Sequence, residues 1–191
     1  WHNGRLYVAG GESLNPRPGH IGLNSFSAFN EATERWEELQ PMLHACREAA
    51  SGVIGDELFI AGGCSEDDEL LTLQIFNFNT ETWRLGAALP EPRIWAIGVV
   101  ADGKLFVINR GSKNLLVYDP QSDRWTEEAP PPAVTTDGST YIRSACAHKN
   151  RLVVFLSDGT ACERANDGSW SPYAEGISHT SSFVVESVIL G

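Results

Sequence analysis

One pattern recurs four times along the chain and constrains its fold more than any other feature. Each copy contains a short apolar segment around a leucine, followed later by a tryptophan. The leucines are Leu6, Leu58, Leu105 and Leu152, and the tryptophans are Trp36, Trp83, Trp125 and Trp170. The leucines are 52, 47 and 47 residues apart, and the tryptophans are 47, 42 and 45 residues apart. Such a period indicates that one small structural unit is repeated along the chain.

An aromatic residue forms a third landmark, because it precedes the tryptophan by seven residues in each of the first three repeats. These aromatic residues are Phe29, Phe76 and Tyr118. The fourth repeat is degenerate, since Cys162 and Glu163 stand where the aromatic residue is expected. Three landmarks that share one period indicate a common architecture for the four repeats.

Each repeat contains the pattern of four strands. The leucine segments are almost continuously apolar, which is typical of strands buried on both faces. The segment that ends at the aromatic residue predicts another strand, and a polar turn separates it from a short strand that opens with the tryptophan. Small apolar residues at 49–54, 96–101 and 144–148 predict a strand crowded around a narrow axis. Because no helical period of useful length is present, the sequence predicts an all-β chain of four four-stranded blades, which is a β-propeller.

These landmarks resemble the signature of the kelch-repeat family. The signature combines a double glycine, here Gly10-Gly11 and Gly62-Gly63, with the aromatic residue and the tryptophan. Arg47, and the segment 118–120 (Tyr-Asp-Pro) before Trp125, are most similar to the kelch-like (BTB-Kelch) branch. The resemblance implies a kelch-type β-propeller over nearly the whole chain, strongly in the first three repeats and weakly in the fourth.

The resemblance also divides the chain into blades. We expect four blade units with the approximate bounds 1–48, 49–95, 96–143 and 144–180. We expect residues 181–191 to supply a closing strand or a strand of the next blade, because Ser181 to Glu186 match the small-residue strand. Kelch propellers most often have about six blades. The chain is therefore expected to be part of a larger ring, with further blades before Trp1.

Charge and composition exclude several classes of function. The chain has 14 Lys and Arg against 25 Asp and Glu, a formal net charge of −11. This balance argues against nucleic acid and anionic membranes as partners. Its apolar runs are too short to span a bilayer. The four cysteines form no Cys-x-x-Cys pair and no Asn-x-Ser/Thr acceptor is present. We therefore expect a reducing, cytoplasmic location, without a cofactor or a metal.

Loops are the expected place of function, because the repeated residues are mostly core. The distance from leucine to tryptophan falls from 30 to 25, 20 and 18 residues, so the loop after the leucine strand is long in the first two repeats. In kelch propellers these loops, and those entering the small-residue strands, line the usual partner-binding face. The candidate partner-binding residues are Arg17, His20, His44, Arg47, Asp67, Asp68, Arg93, Trp95, Tyr141 and Arg143.

Three of these candidates are arginines, namely Arg47, Arg93 and Arg143, at nearly equivalent positions of successive repeats. The resemblance implies a ring of arginines that faces a pocket and binds a carboxylate or a phosphorylated acidic motif. The alternative is that these arginines hydrogen-bond the loops between blades. Trp95 favours an interface, because tryptophan and arginine are typical anchor residues. The acidic run that contains Asp68 is a solvated turn, or it repels acidic partners and accepts a basic one.

Enzyme signatures are weak. A sialidase blade needs Asp-x-Gly-x-x-Trp, and the segment 167–170 (Asp-Gly-Ser-Trp) has the wrong spacing. The five histidines occupy unrelated repeat positions and do not form the copper site of galactose oxidase. The sequence therefore predicts no catalytic or metal-binding residues.

The sequence as a whole predicts a non-catalytic protein-interaction module. Within the kelch-like branch, this module would receive the substrate of a cullin-type ubiquitin ligase adaptor through domains outside this chain. An actin-binding, cytoskeletal kelch protein is the alternative. A propeller enzyme similar to galactose oxidase or a sialidase is the weaker alternative.

Overall fold

The computed structural model describes residues 1–13, 21–66, 68–109 and 114–173. The chain forms two compact units, Trp1–Ala96 (unit 1) and Ile97–Gly191 (unit 2). The described residues contain strands, turns and bends and no helix. The all-β prediction is therefore confirmed for this part of the chain.

Unit 1 contains two main sheets and two short hairpins. Its strands are β1 (Tyr7–Ala9), β2 (Glu12–Ser13), β3 (Ile21–Gly22), β4 (Phe26–Asn30), β5 (Arg35–Glu38), β6 (Ala50–Ile54), β7 (Glu57–Ala61), β8 (Cys64–Ser65), β9 (Asp68–Glu69), β10 (Leu73–Asn77) and β11 (Thr82–Leu85). The first sheet has the order β1-β4-β5 and the second has the order β6-β7-β10-β11. Both are antiparallel throughout, and β2-β3 and β8-β9 form the hairpins.

Unit 2 contains two four-stranded sheets. Its strands are β12 (Ala96–Ala101), β13 (Lys104–Asn109), β14 (Leu115–Asp119), β15 (Arg124–Glu128), β16 (Ile142–His148), β17 (Arg151–Leu156), β18 (Ala161–Arg164) and β19 (Trp170–Pro172). Each sheet follows the chain, in the orders β12-β13-β14-β15 and β16-β17-β18-β19. Strands β12 and β16 are the small-residue strands of the sequence pattern.

The sheets correspond to propeller blades, and the kelch-type all-β architecture agrees with the sequence pattern. Three strands are described in the first sheet, where four were predicted for a complete blade. The segment predicted to complete it, 181–191, lies outside the described residues. The blade bounds 1–48, 49–95, 96–143 and 144–180 stay a prediction.

The leucine segments are buried as the sequence predicted, except in the first sheet. In β7, β13 and β17 the leucines Leu58, Leu105 and Leu152 are buried. Leu6 and Val8 in the first sheet are about half exposed. Apolar continuity therefore predicts burial on both faces only where both faces of the strand are covered by other parts of the protein.

A tryptophan connects the two sheets of unit 1. Trp83 of β11 is only 8% exposed, and its indole packs against Phe26 of β4 and Phe76 of β10 at centroid distances of 5.1 and 5.0 Å. Its Nε1–H donates to the carbonyl oxygen of Gln40 at 2.9 Å. Trp83 thus fills the apolar interface between the two sheets, and its one polar atom is hydrogen-bonded to the loop that precedes β6.

Unit 2 repeats this arrangement one sheet later. The Nε1–H of Trp170 donates to the carbonyl oxygen of Ala129 at 3.1 Å. The buried guanidinium of Arg164 adds a second connection, because its Nε and Nη2 contact both carboxylate oxygens of Glu128 at 2.6 and 2.7 Å. The same guanidinium lies 5.2 Å from the ring centroid of Phe106. Because the guanidinium contacts both oxygens of one carboxylate, the pair fixes the relative orientation of the two side chains as well as their distance.

Replacing Trp83 by Phe should destabilise unit 1 more than the same change at Trp36. Trp83→Phe removes the buried hydrogen bond to Gln40 and leaves a cavity, so we expect a loss of about 1–3 kcal/mol. Trp36 is 50% exposed, and Trp36→Phe should cost less than about 0.5 kcal/mol. Urea unfolding followed by circular dichroism measures both. Equal losses would show that the tryptophan does not connect the sheets.

Candidate protein-binding loop face

The glycine pairs hold the loops that enter the next small-residue strand. Gly62 and Gly63 have φ values of 67° and 82°, in the left-handed region. The amide of Gly63 donates to the carbonyl oxygen of Arg93 at 2.7 Å. A Cβ placed on Gly62 would lie 2.6 Å from that same oxygen. Glycine is required here because the loop backbone approaches closer than any side chain permits.

The first glycine pair makes the same contact one repeat earlier. The amide of Gly11 donates to the carbonyl oxygen of Cys46 at 3.0 Å, and a Cβ on Gly10 would lie 2.4 Å from it. Arg93 therefore occupies the repeat position of Cys46, one residue before the position of Arg47. Sequence spacing alone had placed the arginines at nearly equivalent positions, because it does not resolve an offset of one residue.

These contacts gather the connections of unit 1 at one end of its sheets. We use the term loop face for the described residues of unit 1 within 10–13, 21–25, 39–49, 62–66, 68–72 and 86–95. The backbones of Arg47 and Cys64 exchange two hydrogen bonds of 2.9 Å. A Cβ on Gly22 of the β2-β3 hairpin would lie 3.4 Å from atoms of Cys64 and Ser65 in the β8-β9 hairpin. The two hairpins are therefore in direct contact.

The guanidinium of Arg47 already contacts oxygen acceptors of its own chain. Its side chain is 15% exposed, and Nη1 contacts a carboxylate oxygen of Glu48 at 2.6 Å. Its Nη2 donates to the carbonyl oxygen of Glu66 at 3.2 Å, and its Nε lies 3.8 Å from the carboxylate of Glu12. The guanidinium thus connects the loop entering β6 to both hairpins.

Arg93 is more deeply buried, with 5% of its surface exposed. Its Nη2 contacts a carboxylate oxygen of Glu91 at 2.6 Å. For Arg47 and Arg93 the structure shows the second of the two arrangements that the sequence left open, in which the arginines hydrogen-bond the loops. Arg143 is exposed on β16 of unit 2. A partner-binding role for these three residues stays a prediction.

The other candidate residues have different surroundings. His44 is exposed, and its backbone is held by the buried side chain of Gln74, which donates to its carbonyl oxygen at 3.0 Å and accepts from its amide at 2.8 Å. Asp68 is exposed on β9, and Tyr141 is half-buried in unit 2. Arg17, His20 and Asp67 lie outside the described residues.

Trp95 is the most exposed large apolar residue among those described. Its side chain is 71% exposed, and its φ of 54° lies in the left-handed region. A bulky residue in this region carries strain, and such strain concentrates at functional sites. Glu48 has a φ of 59° at the corresponding position of the preceding repeat. The backbone path of the loop therefore imposes this conformation at that position, independently of the side chain.

Sequence reasoning missed Gln74 and the exposed leucines of this face. Gln74 is the one polar residue inside an apolar strand segment, and that was the available signal for a buried structural hydrogen bond. Leu43 and Leu71 are 46% and 43% exposed. Leucine in a repeat suggests core, and nothing in their local pattern predicted exposure.

All four cysteines are free thiols. Burial raises the pKa of Cys46 to about 11, with a smaller contribution from Cys64. Burial, and then a hydrogen bond to Glu48, raise the pKa of Cys64. No group of three or more metal-ligating side chains occurs in the described residues. In the same part of the chain, no helix has the length and apolar character needed to cross a membrane.

The sheets and their loop ends define a β-propeller class of protein, and comparison with known proteins gives its family. Residues 45–90 match the family model of the kelch motif. A solved structure of YjhT superposes with a TM-score of 0.64 over 88% of this chain and 65% of that chain, at 13% identity. At this level of identity the superposition supports the fold alone.

Several similar proteins carry kelch repeats. Kelch repeat and BTB domain-containing protein 12 of Danio rerio is 29% identical over 151 residues, covering 64% of this chain and 24% of the relative. Kelch-like protein 21 of Danio rerio is 30% identical over 124 residues, covering 61% and 19%. An F-box/kelch-repeat protein of Arabidopsis thaliana is 27% identical over 123 residues, covering 63% and 31%. This chain thus spans a fifth to a third of the length of these relatives.

Residues 45–90 thus match a kelch motif, and the chain is similar to kelch-repeat proteins of the kelch-like branch.

Raising the pH should destabilise unit 1 through Cys46. Its folded pKa of about 11 exceeds the ordinary value of 9.0, so above pH 9 the unfolded state loses its proton first. Stability should be unaffected below that pH and should fall by about 1–2 kcal/mol as the pH approaches 11. Cys46→Ala should flatten this slope in urea unfolding measured across the pH range. An unchanged slope would contradict the assignment.

Replacing Trp95 by Gly should stabilise the loop face. Glycine adopts the left-handed conformation without strain, so Trp95→Gly should raise the free energy of unfolding by about 0.5–1 kcal/mol. Trp95→Ala is the matched control, because it removes the same indole and retains the strained backbone, and its stability should stay close to that of the wild type. A marked loss of stability in both variants would show that the indole is structural.

Proposed function

We propose that this chain is a non-catalytic protein-interaction module whose loop face binds a partner protein. The observation that carries this proposal is the exposed indole of Trp95 in a strained conformation. Glycine would adopt this conformation without strain, yet the position holds a large apolar side chain that faces solvent. Tryptophan in an exposed loop is a common anchor of protein interfaces.

The construction of the loop face supports the same function. The glycine pairs and Gln74 hold the loops by hydrogen bonds, so the loops lose little conformational entropy when a partner binds. Leu43 and Leu71 add apolar surface at the same end of the sheets. A rigid support with exposed apolar side chains is suited to recognition and needs no catalytic group.

We further propose that the parent protein is a substrate adaptor of a cullin-type ubiquitin ligase and works in the cytoplasm. Similar proteins combine kelch repeats with a BTB domain or an F-box, as their names state. In such an arrangement this chain would bind the substrate, and a BTB domain or an F-box in the same protein would contact the ligase. Four free thiols support a reducing compartment.

Site-specific photo-crosslinking in the complete parent protein tests the interaction. A photoreactive amino acid replaces Leu43 or Leu71 on the loop face, and Thr80 at the opposite end of β10 serves as the control position. We expect one defined partner to crosslink from Leu43 and Leu71 and to be lost in the Trp95→Ala background. Crosslinking from Thr80 with equal yield would contradict a loop-face site.

The identity of the crosslinked protein then tests the adaptor role. A substrate whose ubiquitination depends on the parent protein and on a cullin supports it. Actin as the crosslinked protein would replace the adaptor role with the cytoskeletal alternative.

A further inference from the structure

Unit 1 carries most of the negative charge of the chain. Residues 1–96 contain 14 Asp and Glu, six Arg and no Lys, which gives a formal charge of −8 out of −11. A partner that approaches unit 1 therefore meets a negative potential. Such a field raises the association rate of positively charged partners and lowers that of acidic ones.

On the loop face itself, the cations are already neutralised. Arg47 is paired with Glu48, and Arg93 is paired with Glu91, each at 2.6 Å. Both guanidiniums are largely buried, so an acidic partner would have to displace a carboxylate of the same chain to reach either of them. Breaking a partly buried ion pair leaves a charge without its partner, which is unfavourable.

Other carboxylates of the loop face are exposed to solvent. Glu66, Asp68 and Glu69 are exposed on the β8-β9 hairpin. Glu12 on the neighbouring β2-β3 hairpin is also exposed, and its carboxylate lies 3.8 Å from Nε of Arg47. Because these two hairpins are in contact, their carboxylates form one negative rim.

Apolar side chains accompany this rim on the same face. Trp95, Leu43 and Leu71 are exposed on connections of unit 1, and Ile21 is 38% exposed on β3. A tryptophan ring accepts both an apolar side chain and a cation over its face. The combination of exposed aromatic and aliphatic surface with a carboxylate rim complements a segment that carries both cations and apolar residues.

We propose that the loop face of unit 1 binds a basic segment of a partner protein, in which Lys or Arg side chains alternate with apolar ones. The inference rests on the proposed function and specifies its partner class. The cations contact Glu66, Asp68 and Glu69, and an apolar or cationic side chain packs on Trp95. This is the opposite charge to the acidic or phosphorylated motif that the arginines suggested in the sequence.

Fluorescence anisotropy with three synthetic peptide pools tests the proposal on the full chain. The pools share one length and one content of Leu and Trp, and their charged positions hold Lys and Arg, Asp and phosphoserine, or Ser and Gln. The loop variant Glu66→Gln/Asp68→Asn/Glu69→Gln removes the rim charge. The control variant Glu31→Gln/Glu34→Gln/Glu81→Gln removes the same charge from turns at the opposite end of the sheets.

We expect the basic pool to bind at least about tenfold tighter than the acidic pool. The loop variant should weaken basic binding about tenfold and reduce its salt dependence, whereas the control variant should change it less than about twofold. Trp95→Gly should weaken binding about tenfold while the loop keeps its backbone conformation. Circular dichroism confirms that each variant is folded.

Three outcomes would overturn the proposal. They are tighter binding of the acidic pool, equal loss in the loop and control variants, and no binding of any pool. In each case the crosslinking from Leu43 and Leu71 is an independent readout. A partner that still crosslinks from the loop face and depends on Trp95 leaves the proposed function intact and rejects only its basic character.

Discussion

The close approach of a loop carbonyl to a glycine pair is the contact on which the rest of unit 1 depends. At Gly62, any side chain would collide with the carbonyl oxygen of Arg93, and at Gly10 with that of Cys46. This contact fixes where the chain leaves one sheet and enters the next, so the tryptophan of the following sheet meets its acceptor. Trp83 reaches Gln40 in this way. Trp170 of unit 2 makes the equivalent contact with Ala129 although Asn109 and Arg110 replace the glycine pair there. In unit 1, one backbone geometry therefore sets both the spacing of the sheets and the position of their loops.

The same geometry has a cost in backbone strain, which appears in the loops of the loop face. The residue two positions after the docked carbonyl takes a positive φ, at Glu48 in one loop and at Trp95 in the next. At Glu48 the side chain is used internally, since its carboxylate contacts Arg47 and Cys64. At Trp95 the side chain projects into solvent. Equivalent positions of a repeat can thus hold a structural residue in one loop and an exposed side chain in the next, because the backbone is shared and the side chain is free to vary.

The periodic part of the structure was predictable from sequence, and the loop face was predictable only in part. Leu58, Trp83 and Gly62 recur because each repeat solves the same packing problem, and their roles follow from spacing. Loops do not repeat, so the burial of Arg93 and its pairing with Glu91 depend on tertiary contacts that spacing does not encode. The offset of one residue between the repeat positions of Arg47 and Arg93 also depends on tertiary contacts. Which carbonyl oxygen bonds to the glycine pair depends on the three-dimensional structure. The similar distances of Arg47 and Arg93 from their repeat leucines do not reveal it.

The charge that the loop face presents to solvent therefore depends on how exposed each charged side chain is, and not only on the residue types in its loops. Arg47 and Arg93 are prominent in the sequence, yet each is buried against a carboxylate of its own chain and adds little to the field outside. The exposed carboxylates of the β8-β9 hairpin face water and set the sign of that field. A buried, paired arginine stabilises the loops, whereas an exposed acidic residue at a hairpin end acts on whatever approaches from solvent. Because the two roles fall on different residues, exposed loop residues can vary while the support beneath them stays the same.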